Sequence, residues 1–550
     1  MKAEIINKIF PNPLPTIEEI EAKYPPRQLP EGAKVTRVGP SPTGLMHIGN
    51  LIAALIPERL AHQSNGIFFL RIEDTDQKRK VDGAVDLILN SLYGYGIQND
   101  EGPVLNGPEK GSYGPYFQSA RKEIYQAYVK DWLEKDLAYP CFCTEEENEK
   151  NHALQVAQNA RPGYHGGWAR CRNLSEETVL KNLNEGKKFV IRFKSPGHYN
   201  KKIVIQDVLR GKREFPENDL DIVILKGDGL PTYHFAHLID DHLMGTTHVI
   251  RGEEWLSSLP LHIQLFQTMG WKPPKYGHIA HVQKMDENGN RRKFSKRLDP
   301  EAKLTYYSEK GYPKTALIEY LLNLANSNFE DWRRAHPDKP YTDFELSLNK
   351  LNSSGALFDL VKLNSISKDV IGKMTAREIY DYALEWMKNY DVPFSEVMEK
   401  NKDYMIRIFN IEREGVKKVR KDIAVWSDVK NEVSYFFDDQ FTLTTGEAYK
   451  LLSPMSVNDI MKIVNAFVES YDEADSKEIW FDKIKKIAEM NGFATDMKAY
   501  KAEPANFKGS VADVAKVLRI FVTGKEQSPD LYAIMQVMGK DRVLKRLTIA

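Results

Sequence analysis

Two short stretches far apart in the chain carry residue types suited to handling a phosphate chain. The first, Arg37-Val-Gly-Pro-Ser-Pro-Thr-Gly-Leu-Met-His-Ile-Gly-Asn50, runs through glycines and prolines to an imidazole, His47, and then Gly49. A turn of this composition lets backbone approach a ligand, and a helix starting after it would aim unpaired N–H groups at an anion. His47 would stand where that helix dipole emerges, able to bond a phosphate oxygen. Gly49 would leave room for a planar base. The second stretch, Arg291-Arg-Lys-Phe-Ser-Lys-Arg297, holds five cations in seven residues. Such a loop could neutralise charge developing on a displaced pyrophosphate, with Lys296 nearest the α-phosphoryl group and Lys293 nearest the leaving phosphates. Each stretch alone has a plainer reading, as a surface histidine in a polar loop or as a solvated or nucleic-acid-binding basic run. Together they suggest two halves of a clamp on one nucleoside triphosphate.

The elements around them must form a scaffold. Residues 33–38 read as a short strand, 39–44 as a loop, and Ile48 to Ser64 as a helix with apolar residues at helical spacing. Pro57 should kink or restart that helix. The continuous apolar run 67–72 suits a buried parallel strand, completing a βαβ unit. From about Pro115 to Leu220 the texture changes: all three cysteines, a glycine-rich patch at 162–167 and alternating runs mark an insertion between two halves of one nucleotide-binding domain. The second half should resume with a strand at 220–225 and another at 247–251. Beyond Asp299 strand signals fade and amphipathic helices such as Ala376 to Asn389 and Asp513 to Val522 dominate. Residues 1–32, polar and rich in proline, look like an extended or partly helical appendage.

Length and composition bound the possibilities. A chain of 550 residues should hold several domains. Apolar and charged shares of 42% and 28% are ordinary for a globular protein, and no apolar run is long enough to span a membrane. Three cysteines exclude a disulfide framework and suit a reducing compartment, so a cytoplasmic setting is expected. The 77 basic and 77 acidic residues cancel, so any polyanion must be met by local basic patches.

The motifs Arg37…Ser41…His47-Ile-Gly-Asn50 and Lys293-Phe-Ser-Lys-Arg297 resemble the HIGH and KMSKS elements of class I aminoacyl-tRNA synthetases. The segments Arg71-Ile-Glu-Asp-Thr-Asp76, Asp228 to Gly245 and Val249-Ile-Arg-Gly-Glu-Glu-Trp255 resemble the bacterial glutamyl-tRNA synthetases in particular. The resemblance runs from about Val35 to the C-terminus. It implies an α/β fold: a Rossmann-type parallel-sheet catalytic domain with an α+β insertion, followed by an all-α anticodon-binding region. The expected division is an N-terminal extension at 1–32, catalytic halves at 33–114 and 221–298, and an acceptor-binding insertion at 115–220. A junction domain at 299–375 and helical anticodon-binding domains at 376–550 would follow.

The same resemblance implies L-glutamate, ATP with Mg²⁺ and tRNA(Glu) as substrates of a monomer. An enzyme that also glutamylates tRNA(Gln) stays open. Catalysis would fall to His47, Lys293 and Lys296, and ATP binding to Ser41, His47, Gly49, Glu254, Lys293, Ser295 and Lys296. Glutamate would meet Arg37, Ser41, Glu73, Tyr233, His237 and Arg251. A guanidinium suits its side-chain carboxylate, although Arg251 could instead partner Asp240 or Asp241. The chain departs from the family pattern at His237, where many members have asparagine. Phe294 replaces an aliphatic residue, and Gly39 replaces a commoner alanine, a swap expected to be mild. A glutamine-specific relative would carry β-barrels in place of the C-terminal helices. A tRNA-independent relative would lack that half.

Some members of this family bind structural zinc through a CxC pair and a later cysteine, which fits Cys141, Cys143 and Cys171. Zinc needs four ligands. Asn173 stands where certain relatives have a histidine, leaving Tyr164, His165 or His152 for the fourth. Three small buried hydrophobes are the alternative. Further on, Arg407 to Lys421 is basic with apolar residues interleaved, as either an RNA-binding stripe or a solvated helix face.

Overall fold

Parallel strands buried by β-branched and aromatic residues frame the N-terminal part of the chain. β1 (Val35–Val38) pairs in parallel with β2 (Ile67–Leu70), in the register Val35↔Ile67 through Val38↔Leu70. The helix Ile48–His62 crosses between them. This computed structural model describes residues 1–44, 46–295, 297–352 and 354–548. They form two compact units: Met1–Tyr306 with Ile318–Asp359, and Tyr307–Leu317 with Leu360–Ala550. Among the described residues no helix is long and apolar enough to cross a membrane.

In the first unit, β3 (Ala138–Cys141) and β4 (Val190–Phe193) lie within the predicted insertion, as do β5 (Lys202–Asp207) and β6 (Gly211–Pro216). β7 (Val223–Leu225), β8 (His248–Gly252) and β9 (Lys275–Ile279) follow. β8 and β9 are parallel. They come alongside β1 because Thr247 N–H donates to Val35 O at 2.9 Å and Val35 N–H to Thr247 Oγ1 at 2.9 Å. β5 forms a hairpin with β6 and touches β9 through Asp207↔Tyr276.

Three expectations need correction. The strand predicted at 220–225 does not extend the parallel sheet: as β7 it pairs antiparallel with β4, and with β3 completes a separate three-stranded sheet. An apolar run shows that a strand is buried, not which neighbour it joins. Pro57 does not restart the helix, which runs unbroken from Ile48 to His62. Its neighbours Leu55, Ile56 and Leu60 are buried and Thr36 Oγ1 donates to Pro57 O at 2.7 Å, so tertiary packing outweighs the lost backbone bond.

The N-terminal segment is the third case. It is no loose arm but two packed helices, Ala3–Ile9 and Ile17–Lys23, the second opened by a Thr16/Glu19 capping box. Ile6, Ile20 and Tyr24 enter the same core as Tyr128, Trp132 and Phe235. Proline count misled here because the prolines sit between and after the helices rather than in them.

The second unit is helical as expected. Thr375 and Glu378 form a capping box for Ala376–Tyr390, and Gly524, at φ +71°, ends Val511–Thr523. Ile379, Ala383, Phe409, Phe467, Leu518 and Phe521 belong to one continuous core.

His62 fastens the end of the crossover helix in the first unit. Its ring nitrogens meet Glu58 at 2.8 Å and Asp100 at 3.0 Å, and Asp100 also accepts from Phe68 N–H. The Asp100 bond and then the Glu58 bond raise its pKa to about 9. A raised histidine stabilises fully below its unfolded value near 6.5 and loses that contribution as pH rises through about 9. His62→Gln should therefore cost on the order of 1 kcal/mol near pH 6, the partial exposure moderating it, and almost nothing near pH 10, as read from urea midpoints.

Candidate functional site

A cleft of about 1370 Å³ opens where β1, the loop after it, β2 and β8 end. Its wall includes Arg37, Ser41, His47, Glu73, Tyr233, Arg251 and Glu254. Seven of the predicted site residues, drawn from four distant segments, thus share one cavity. Ligands of parallel α/β sheets bind in such crevices beyond the carboxyl ends of strands.

His47 caps the crossover helix: its Nδ1 accepts from Asn50 N–H at 3.3 Å, while Asn50 Oδ1 accepts from His47 N–H at 3.1 Å. Gly49 lies outside the cleft wall. Its role is steric, because a Cβ there would stand 2.9 Å from the His47 ring. Gly39 corrects an expectation. A Cβ at that position would fall 2.2 Å from Glu73 Oε1, and Arg71 holds that carboxylate at 3.0 Å, so alanine is not a mild change here.

Behind the wall lies a buried ionic network. Asp241 accepts from Arg71 at 2.7 Å and from Arg37 at 3.3 and 3.4 Å. Asp240 accepts from Arg121 at 2.7 Å, Gln118 at 2.9 Å and Tyr125 at 2.8 Å. Burial opposes the Asp241 charge, but Arg37 and Arg71 outweigh it and hold the carboxyl well below the ordinary range. For Glu73 burial wins over Arg71 and Arg37, and its pKa rises.

Neither aspartate partners Arg251, contrary to the alternative raised from sequence. Arg251 Nε donates to His278 Nε2 at 3.0 Å, and Nη1 to the Tyr233 hydroxyl at 3.3 Å. Nη2 meets His262 Nδ1 at 3.0 Å and the Trp255 carbonyl at 3.4 Å. Among the described residues no carboxylate pairs with it.

His237 is also placed differently from its predicted role. It is fully buried behind Tyr233, 2.6 Å from Asp241 and 2.9 Å from the Tyr276 hydroxyl, and does not reach the cleft. Burial, working against Asp241, lowers its pKa to about 3. Its ring stacks on Tyr233, supporting that residue from behind.

The second basic stretch lies beside the first. β10 (Gln283–Met285) and β11 (Arg291–Lys293) form a hairpin. The preceding His281 bonds both Glu253 and Glu254 at the cleft rim. A backbone bridge joins His47 to Lys303. Lys293 and Ser295 stand on this hairpin and its outgoing loop, outside the wall itself. Asp299 fixes that loop, accepting from Arg292 twice at 2.7 Å and from Ser295 N–H at 2.9 Å. Lys296 lies outside the described residues. Phe294 stacks on Phe358 at 4.7 Å, so the aromatic ring is packed within the protein. Trp255, Lys226 and Thr75 line the cleft as well and carried no sequence assignment beyond the places of Trp255 and Thr75 in sequence motifs.

In the insertion, the sulfurs of Cys141, Cys143 and Cys171 lie within 4.8 Å of one another. The Tyr164 hydroxyl is 3.3 Å from Cys141 Sγ and 3.3 Å from Cys143 Sγ. Of the three residues suggested for a fourth ligand, Tyr164 is the one among the sulfurs. Hydrogen bonds from Cys143 and Cys171 lower the pKa of the Cys141 thiol, and the same contacts raise that of Cys143, so the cluster favours a single thiolate.

In the second unit the basic stretch 407–421 is not a single helix face, and Arg407, Lys417, Lys418 and Lys421 are its exposed cations. Its helix ends at Asn410, and Arg413 is buried, donating to the carbonyls of Ile371, Met374 and Phe409. Arg420 donates to Asp422 and Ile408 O.

Asp241 is the predicted weak point. Asp241→Asn should leave Arg37 and Arg71 underpaired in the interior and cost about 3–5 kcal/mol in denaturant melts.

Residues 34–364 match the family described as tRNA synthetases class I (E and Q), catalytic domain, and residues 376–550 match the anticodon binding domain. A glutamate–tRNA ligase of Clostridium perfringens (strain 13 / Type A) is 50% identical over 543 residues, covering 99% of both chains. Another, from Acetivibrio thermocellus, is 48% identical over 545 residues, covering 99% of this chain and 98% of its own. A glutamate tRNA ligase from Elizabethkingia meningosepticum, crystallised in complex with its amino acid, superposes with a TM-score of 0.74 at 30% identity. It covers 94% of this chain and 98% of its own.

Proposed function

The chain belongs to the class I tRNA synthetases for glutamate and glutamine, as a glutamate–tRNA ligase that uses ATP and Mg²⁺, and we propose how its residues divide that work. Glutamate is activated and then passed to the terminal adenosine of tRNA(Glu). An α-carboxylate oxygen of glutamate bonds to the α-phosphorus of ATP, the bond to the β-phosphate breaks, and pyrophosphate leaves. The 2′-hydroxyl of that adenosine then attacks the acyl carbon, and AMP departs. Neither step needs a protein nucleophile, so positioning and charge stabilisation carry the reaction.

His47, at the head of a helix and bridged to the loop following Arg291–Arg297, is suited to phosphate oxygens. Lys293 and Lys296 would bear on the α-phosphoryl group and the leaving pyrophosphate, with Ser41, Ser295 and Glu254 around the nucleotide. Glu73 takes the substrate ammonium. Arg251 takes the side-chain carboxylate, and the observation that carries this reading is that among the described residues it has no carboxylate partner while Arg37 already has Asp241. Glutamine would turn an amide NH₂ toward those donors and forfeit a charge-assisted bond, about 1.5–3 kcal/mol or roughly 10- to 150-fold. Gly49 serves ATP indirectly, by making room for His47, and His237 serves glutamate by backing Tyr233.

We further read the chain as a monomer of the cytoplasm, with the 115–220 region at the acceptor end of the tRNA and the helices beyond 376 at its anticodon. Cys141, Cys143, Cys171 and Tyr164 offer four donors of the kind zinc takes, and would hold it as a structural cross-link of the insertion.

Aminoacylation with labelled amino acids on purified tRNA(Glu) tests the assignment: glutamate should load and glutamine should not. Parallel assays on tRNA(Gln) measure how broadly the anticodon is read. For the metal, elemental analysis should find about one zinc per chain, and Cys143→Ser should lower both zinc content and melting temperature. Protein without stoichiometric zinc would remove that part of the reading.

A further inference from the structure

Arg251 is held by a pair of residues that the activity has not yet required. Asp207 ends β5 and is fully buried. Its Oδ1 accepts from Leu209 N–H at 2.8 Å and Arg210 N–H at 2.9 Å, and its Oδ2 lies 2.6 Å from His278 Nδ1. His278, fully buried on β9, presents Nε2 to Arg251 Nε at 3.0 Å. We propose that Asp207 and His278 are positioning residues for glutamate selection, Asp207 fixing the His278 tautomer that accepts from Arg251 and thereby fixing where the guanidinium points. The inference rests on Arg251 as the partner of the substrate's side-chain carboxylate.

An ionised carboxylate only accepts, and a neutral imidazole has one donor and one acceptor nitrogen. Burial opposes the Asp207 charge, but the His278 and backbone hydrogen bonds prevail and keep its pKa low, while burial lowers that of His278. His278 Nδ1 must then carry the proton, and Nε2 is left as an acceptor for a guanidinium that can only donate. His262 closes the other side by the same logic. Its Nδ1 accepts from Arg251 Nη2, so its Nε2 donates to His234 Nδ1 at 2.9 Å. Two neutral rings thus orient the cation without cancelling its charge. The Nη1 edge, beside Tyr233 in the cleft wall, remains for a ligand. A carboxylate in either ring's place would orient Arg251 equally well but would neutralise it, and the preference for an acidic side chain would weaken.

Asp207→Asn tests this with almost no change in shape. The amide oxygen still accepts from Leu209 and Arg210, but its NH₂ donates to His278 Nδ1, moves the ring proton to Nε2 and sets N–H against N–H at Arg251. Steady-state aminoacylation of tRNA(Glu) should show the KM for glutamate rising about ten- to a hundredfold, with the KM for ATP and the melting temperature almost unchanged. His278→Gln, whose amide oxygen can accept from Arg251 without Asp207, should keep glutamate affinity better than His278→Leu. Adding Asp207→Asn to His278→Gln should then cost little more. An unchanged glutamate KM in Asp207→Asn, or an equal rise in the KM for ATP, overturns the proposal. So does an undiminished Asp207→Asn effect in the His278→Gln background, the reading that covers a poorly folded single variant. Arg251→Gln separates the levels. If it loses glutamate affinity while Asp207→Asn does not, the positioning role fails alone; if it loses none, the underlying reading fails too.

Discussion

Two adjacent carboxylates on one buried helix hold the wall of the cleft together. Asp240 and Asp241 are both buried, where an unpaired charge would cost several kcal/mol. That cost is offset only while Arg37 from β1, Arg71 from the end of β2 and Arg121 from the insertion stay in contact with them. Arg71 also holds Glu73, so the group assigned to the substrate ammonium is fastened to the same carboxylates as Arg37. A buried ion network adds little net stability compared with a well-packed apolar core. What it supplies here is geometry, since four chain segments must converge for the buried charges to be paired.

Against this compensated cluster, Arg251 stands apart. Arg37 and Arg251 look equivalent as guanidiniums near an acidic substrate, yet their surroundings differ in kind. Arg37 spends its charge on Asp241, whereas Arg251 is surrounded by neutral acceptors: two imidazoles, a phenol and a carbonyl. Hydrogen bonds from neutral groups orient a cation and leave its field intact, so the attraction for an incoming carboxylate is preserved. The cluster of His234, His262 and His278 around it makes sense in those terms. Each ring is kept neutral by burial, and each supplies one acceptor to the chain of contacts.

Much of this was legible in the residues. The loop after β1 and the imidazole at 47 announce an anion-binding helix start, and the cysteine spacing announces a cluster. The α/β-then-helical order follows from hydrophobic period. What escaped the sequence is what depends on partners far along the chain. A histidine in a motif position looked like a ligand contact until its two nitrogens were found occupied by Asp241 and Tyr276. Gly49 looked like room for the ligand and Gly39 like a neutral swap for alanine, but each stands close against a side chain of the protein itself. An apolar run at 220–225 gave a strand without a partner, and choosing between sheets needed the antiparallel register with Ile191 and Arg192. Phe294 departs from the family pattern in sequence only; in space it finds Phe358.

The N-terminal helices show how far the ionic core reaches. Tyr24 closes the second of them and donates its hydroxyl hydrogen to Gly114 O, while Arg121 Nη1 donates to that same hydroxyl at 3.3 Å. Arg27, three residues on, grips Glu101 through two bonds and donates to Met244 O, just past the helix that carries Asp240 and Asp241. A segment read as an appendage thus acts as an outer brace of the substrate pocket. Its contacts pass from Tyr24 to Arg121, from Arg121 to Asp240, and from the adjoining Asp241 to Arg37 at the cleft wall. Each link is a hydrogen bond or ion pair removed from water, where breaking one leaves a buried donor or charge exposed to its full desolvation cost. Stability of the first unit and geometry of the pocket are therefore coupled through the same few side chains.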